Sequence, residues 1–111
     1  MKFLLLIYED DAERVEKMDE RMPHCGAYVE AMKKAGIYLA GERLRAVSST
    51  TSVRVAGGKT HVVDGPYAEA KEQLGGFHMI EVPDLDSALA WAARCPSASR
   101  GTVEVRPIWP T

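Results

Sequence analysis

Cysteine is scarce in this chain. Cys25 and Cys95 stand far apart, with no Cys-x-x-Cys pair and no histidine cluster near either. That pattern excludes a disulfide scaffold and a zinc ribbon, and both read as reduced, partly buried thiols. The three histidines, His24, His61 and His78, lack metal-ligand spacing, so neither a structural metal nor a cofactor is expected. An excess of positive charge is also missing. Lys and Arg number 14 against 16 Asp and Glu, for a formal net charge of −2. With no basic block, nucleic acid is not expected as a partner. No apolar run approaches the ~20 residues of a membrane span. The stretch from Phe3 to Tyr8 is too short for a signal h-region and no small-residue cleavage site follows it. A cytoplasmic protein without membrane partners is therefore expected. The phosphate loop, the dinucleotide glycine motif and the nucleophile elbow are all absent. Trp91 and Trp109 are the only tryptophans, and neither reads as a stacking platform for bases.

What is present describes one globular domain. A chain of 111 residues, 46% hydrophobic and 27% charged, is of ordinary domain size and composition. Lys2 to Tyr8 reads KFLLLIY, apolar on both faces, as a central strand covered on both sides does. Arg14 to Arg21 is highly charged and reads as a loop or an exposed first helical turn. Met18, Met22, Cys25, Val29 and Met32 then step by four, three, four and three, the buried face of a helix from about Asp19 to Ala35. Pro23 suits a first turn, which moves the regular start toward Met22, and Gly36 fits the C-terminus. Ile37 to Leu44 alternates as a strand with Tyr38, Ala40, Glu42 and Leu44 on one face.

Gly57-Gly58 joins Thr51–Ala56 to Lys59–Asp64 as a tight hairpin. Its register sets Val55 opposite Thr60, Arg54 opposite His61, and Val53 opposite Val62. Val53, Val55, Val62 and Asp64 then share one face, so the acid continues an apolar stripe. Ala68 to Gln73 is long enough for one or two helical turns, and Gly75-Gly76 reads as a turn leading into the strand FHMIEV. There His78 reads as a satisfied core or interface histidine. Asp84 caps a helix with Leu85, Ala88, Leu89, Ala92 and Cys95 buried. Thr102 to Ile108 closes the chain as a strand whose Pro107 points to a sheet edge. Without the hairpin the order is βαββαβ, an α+β ferredoxin-like sandwich. Apolar residues on its helix-free face predict a homodimer pairing sheet against sheet.

The stretch DGPYAEAKEQLGGFHMIEV, from Asp64 to Val82, resembles the signature of the YCII-related family in its DGPF-domain branch. KFLLLIY, AGIYLAGERL, SALAWAARCP and VEVRPI are similar to that family's other elements, so the likeness covers nearly the whole chain. The resemblance implies a dimeric α/β-barrel and an activity centred on a His-Asp pair. Asp64 matches the family's acid. Arg21-Met22-Pro23-His24 resembles its histidine-bearing helix start, although His24 falls one residue off register and Cys25 takes the place. Tyr67 stands where the branch has Phe, and Ala70 where it has Thr.

Two readings of function stay open. One is a small-molecule enzyme with its pocket between the sheet and the DGPY loop. Asp64 and His24 would be its acid and base, and Tyr67, Glu69, Lys71 and Glu42 would orient substrate. A carboxylate on an apolar face has the raised pKa that proton transfer near neutrality needs. The other is a non-catalytic module binding a metabolite or a protein, linked to a sigma-factor regulator. In that case Asp64 is a turn residue and Glu69 to Glu72 a solvated segment.

Overall fold

The computed structural model describes residues 1–110. The chain runs β1 (Lys2–Asp10), α1 (Asp11–Glu16), α2 (Met18–Lys34), β2 (Tyr38–Arg43), β3 (Thr51–Ala56), β4 (Lys59–Asp64), β5 (Glu72–Glu81), α3 (Leu85–Arg94) and β6 (Thr102–Pro107), with 3₁₀ turns at Val47–Ser49 and Pro96–Ser99. Four strands form an antiparallel sheet in the order β2-β5-β1-β6, and β3-β4 forms a separate two-stranded sheet. Leaving out that pair, the strand order is the ferredoxin-like one. β6 lies at an edge, where Pro107 removes no ladder bond that a neighbour needs.

Alternation along β1 divides the sheet. Phe3, Leu5, Ile7 and Glu9 are buried on the helix side, while Leu4, Leu6 and Tyr8 are only half-buried on the other. β1 is therefore central, but within one chain only one of its faces is fully covered. Phe3, Leu5, Ile80 and Met32 are completely buried and pack with Ala88 and Ala92 of α3. Burial of each large side chain among them contributes about 1.5–3 kcal/mol.

Several expected elements differ. The charged stretch before α2 is not an exposed loop: it contains the helix α1, capped by Asp10, whose carboxylate accepts from the Glu13 amide at 3.0 Å. α2 continues through Pro23 from Met18. Its deepest residues are Tyr28 and Met32, while Met22 is exposed. α3 buries Ala88 and Ala92, with Cys95 buried just past its end, but leaves Leu85 and Leu89, expected in the buried stripe, exposed. No helix forms between Ala68 and Gln73. The chain stays irregular there and enters β5 at Glu72, so Gly75 and Gly76 are buried strand residues rather than a turn.

Candidate functional site

Two β-bulges shape the helix-facing side of the sheet. Tyr38 pairs with Ile80 and Ala40 with Met79, leaving Leu39 as the extra residue of β2. A single inserted residue reverses the facing of everything after it. Tyr38, Gly41 and Arg43 therefore share the helix side with Leu5 and Ile7, while Ala40 and Glu42 pass to the outer side with Phe77 and Leu6. The expected common face of Tyr38 and Glu42 is corrected by that bulge. The second shift, between Ile7 and Tyr8, places Gly75 as the extra residue of β5.

Above this stretch lies a cavity of about 510 Å³ between α2 and the sheet. That size suits a small organic molecule. Its floor owes its depth to three glycines, Gly41, Gly75 and Gly76. A Cβ on Gly76 would stand 2.8 Å from the Glu42 carbonyl oxygen, and one on Gly75 would meet Arg14 Nε at 2.6 Å. A Cβ on Gly41 would meet His78 Nδ1 at 2.6 Å and Tyr38 Oη at 2.7 Å. Missing side chains here let three polar groups lie against backbone. The roof is Met18, Met22, Cys25, Gly26 and Val29 of α2. Part of the stripe that reads as core in the sequence thus faces an open space.

Charged groups in the walls are mostly neutralised. Glu9, 5% exposed, accepts from Arg21 Nη1 at 3.2 Å and from Ser97 Oγ at 3.0 Å. Arg21 also reaches Glu13 at 2.8 Å. Arg14, 6% exposed, donates to the carbonyls of Leu44 and Arg45 at 3.0 and 3.2 Å and to Asp11 at 3.3 Å. It thereby ties α1 to the end of β2. Arg43 and Arg100, both lining the cavity, make no ion pair among the described residues.

His78 sits in the middle of the floor. Burial, reinforced by the charge of Arg43, holds its pKa below the ordinary histidine range, so the ring is neutral at pH 7. Tyr28 meets it edge-on with ring centroids 5.6 Å apart, and Tyr38 lies at 6.2 Å. Its Nδ1 is buried with no hydrogen-bond partner among the described residues, as is Nε of Arg14. The sequence reads His78 as a satisfied core or interface histidine; within the described residues its Nδ1 finds no partner. Tyr28 is pinned instead to α3, its hydroxyl donating to the Trp91 carbonyl at 2.7 Å, and burial pushes that phenol well above its ordinary pKa. Burial also pushes the Cys95 thiol up.

The residues expected to form one site are dispersed. The β3-β4 register is as read from the sequence, and Gly57 and Gly58 both have positive φ, as the tight turn requires. Yet the stripe it builds is not a core face, since Val53, Val55 and Val62 are all exposed. Asp64 is exposed at the base of the hairpin. There the Gly65 amide donates to Thr50 at 2.8 Å and the Ser52 hydroxyl to Gly65 at 2.7 Å. Tyr67 and His24 are exposed as well. Glu69 and Lys71 line a second, shallower depression of about 410 Å³ beside the start of α1. Of the six, only Glu42 borders the larger cavity, where Cys25 rather than His24 is the α2 residue that lines it. The described residues contain no cluster of three His, Cys, Asp or Glu able to hold a metal ion. None of their helices is long and apolar enough to cross a membrane.

The residues that sequence reasoning missed are Arg14, Arg43, His78 and the glycine floor. Gly41, Gly75 and Gly76 were the available signal, since a glycine inside a strand marks a bulge or a close approach.

A family model described as a YCII-related domain matches residues 1–111. An uncharacterized protein of Rhizobium meliloti is 42% identical over 83 residues. That match covers 73% of this chain and 64% of the relative's length.

Proposed function

We propose, for this member of the YCII-related family, that the cavity between α2 and the sheet is its ligand site and that the ligand is a small organic molecule. The observation that carries this reading is the glycine floor: a Cβ on Gly41, Gly75 or Gly76 would collide with His78, Arg14 or the Glu42 carbonyl, and without those side chains the floor lies open beneath α2. His78 Nδ1 and Arg14 Nε are packed against that floor with no hydrogen-bond partner among the described residues. The roof supplies apolar surface for the ligand's body.

Gly26 offers the test. It lines the cavity, and a Cβ there meets nothing within 4 Å. Gly26→Leu should fill the space from above and leave the fold at least as stable, since leucine favours a helix interior over glycine by roughly 1 kcal/mol. Metabolite mixtures that raise the thermal midpoint of the wild type should leave this variant unmoved. An equal rise in both proteins would place the binding elsewhere.

Assembly belongs to the same proposal. Leu4, Leu6, Tyr8, Phe77 and Met79 form a half-buried apolar row on the helix-free face, and two copies pairing these faces would bury it in a homodimer. Phe77→Lys should then yield a monomeric mass in solution, and a wild type already monomeric at micromolar concentration would sink the idea. The second reading keeps Asp64 as an acid or base of the DGPF branch. It is favoured by a carboxylate that makes no hydrogen bond to any described residue although the backbone around it is pinned.

A further inference from the structure

We propose that the cavity is selective for a small organic carboxylate, whose carboxylate group lies between the Arg43 guanidinium and the Nε2–H of His78 while its apolar body lies under α2. The inference deepens the ligand-site reading above and rests on it.

Charge is the first support. Two of the four cationic side chains of the wall are committed, Arg14 to Asp11 and two carbonyls and Arg21 to Glu9 and Glu13. Among the anionic ones, Glu9 is held by Arg21 and Ser97, and Glu30 faces Lys33 at 3.7 Å. Glu42 belongs to the outer side by register. Arg43 and Arg100 remain as a surplus of positive charge facing the space. A guanidinium without a protein partner matches a carboxylate in both charge and geometry.

Tautomer is the second. Gly41 pairs with His78 and Arg43 with Gly76, so Arg43 and His78 are diagonal neighbours on the same face of the ladder. Diagonal side chains in a ladder are roughly 7–8 Å apart at their origins, within reach of a long side chain. Nδ1 is packed over Gly41 with no partner. Burying a bare acceptor is the more tolerated of its two options, because orphaned N–H groups are the rarer kind. The proton of the neutral ring then sits on Nε2, which is not among the buried unpartnered atoms and belongs to a cavity-lining residue. A fixed neutral donor beside a fixed cation suits one oxygen each of a carboxylate. Met18, Met22, Cys25 and Val29 provide the apolar cover.

Hexanoate and octanoate, each against its primary amide, form the test, followed by the ring resonances of His78 and by calorimetry. The carboxylates should bind and shift the His78 ring, with the amides weaker by about tenfold or more, the difference that a charge-assisted hydrogen bond makes. Arg43→Gln, at an exposed side chain without an ion pair, should keep the thermal midpoint and reduce carboxylate affinity to that of the amide. Gly26→Leu should abolish both. Equal binding of acid and amide, both lost in Gly26→Leu, would overturn the anion selectivity and leave the ligand site standing. Binding unaffected by Gly26→Leu, or no binding of any of the four compounds, would overturn this proposal. Inorganic phosphate displacing hexanoate at comparable concentration would overturn the carboxylate in favour of a phosphate ligand.

Discussion

The two sheets of this protein place similar residues in opposite circumstances. At the four-stranded sheet, Glu9 of β1 and Arg14 of α1, which packs on it, are charged yet buried, and each has two or more partners. In the β3-β4 ribbon, valines are exposed, Val55 by 69%. A ribbon has no second layer. A lone two-stranded hairpin is marginal in water, and this one is held at its base by the Gly65 and Ser52 hydrogen bonds. Apolar alternation therefore reports burial only where another layer is available to pack on it. The ribbon carries the most conspicuous sequence motif, and the sheet carries the cavity.

The contrast is most exposed to failure at Arg14. Replacing it with Met removes a buried cation and leaves the Leu44 and Arg45 carbonyls and Asp11 short of a donor. A loss of about 3 kcal/mol is expected, at the lower end for breaking a buried charge network. Urea unfolding measures it. Val55→Thr on the ribbon should change stability by less than about 0.5 kcal/mol, as surface changes do. A large loss at Val55 would show that the ribbon is packed against something in solution and would end the comparison as drawn.

Gly76→Ala comes next. Its new methyl would stand 2.8 Å from the Glu42 carbonyl oxygen, a backbone atom that cannot swing aside. Overpacking of this kind costs roughly 1–3 kcal/mol. Gly57→Ala in the hairpin, where φ is +57° and a Cβ meets nothing, should cost about 1 kcal/mol from the left-handed backbone alone. Equal losses at the two glycines would mean that β2 and β5 are less rigid than their ladder implies.

How much of this was legible in the sequence follows from the same physics. Hairpin register, the Asp84 cap, the edge position of β6 and the βαββαβ order of elements around the hairpin come from local chemistry and hydrophobic periodicity, and all are readable. Two bulges were not. Nothing local to Leu39 marks it as an extra residue, yet its insertion sends Glu42 outward and brings Arg43 inward. Arg14 reads as part of an exposed charged stretch because the two carbonyls that hold it, from Leu44 and Arg45, are brought to it only by tertiary folding. Glu42 alone among the expected site residues borders the cavity, since hydrophobic patterning cannot distinguish a face that packs from one that faces water.

A smaller effect tests His78. Its folded pKa lies below the unfolded value, so the unfolded chain binds more protons near pH 6 and stability rises with pH there. The contribution is fully present above the unfolded histidine pKa of about 6.5 and is lost as pH falls through that value toward the folded one. Denaturant midpoints between neutral pH and mildly acidic pH should fall less steeply for His78→Gln than for the wild type. The same substitution at His61, exposed on the ribbon, should leave the slope unchanged. Matching slopes for wild type and His78→Gln would remove the neutral ring from the site.

The smallest expected change is at the residue the sequence made most prominent. Asp64 is exposed, and its carboxylate makes no hydrogen bond among the described residues, so Asp64→Asn should move the thermal midpoint by little, equivalent to less than about 0.5 kcal/mol. The backbone bonds that shape its turn, from Gly65 to Thr50 and from Ser52 to Gly65, do not pass through its side chain. Carboxylate binding in the cavity should also survive, because Asp64 does not line it. If the variant unfolds, the acid is a structural turn residue whose partner one chain does not contain. If it folds but hexanoate no longer binds, the ribbon and the cavity act as one site, with Asp64 reaching the cavity from a second copy. Retained fold and retained binding would instead assign the two regions separate work, leaving Asp64 to chemistry or contacts at the ribbon's base.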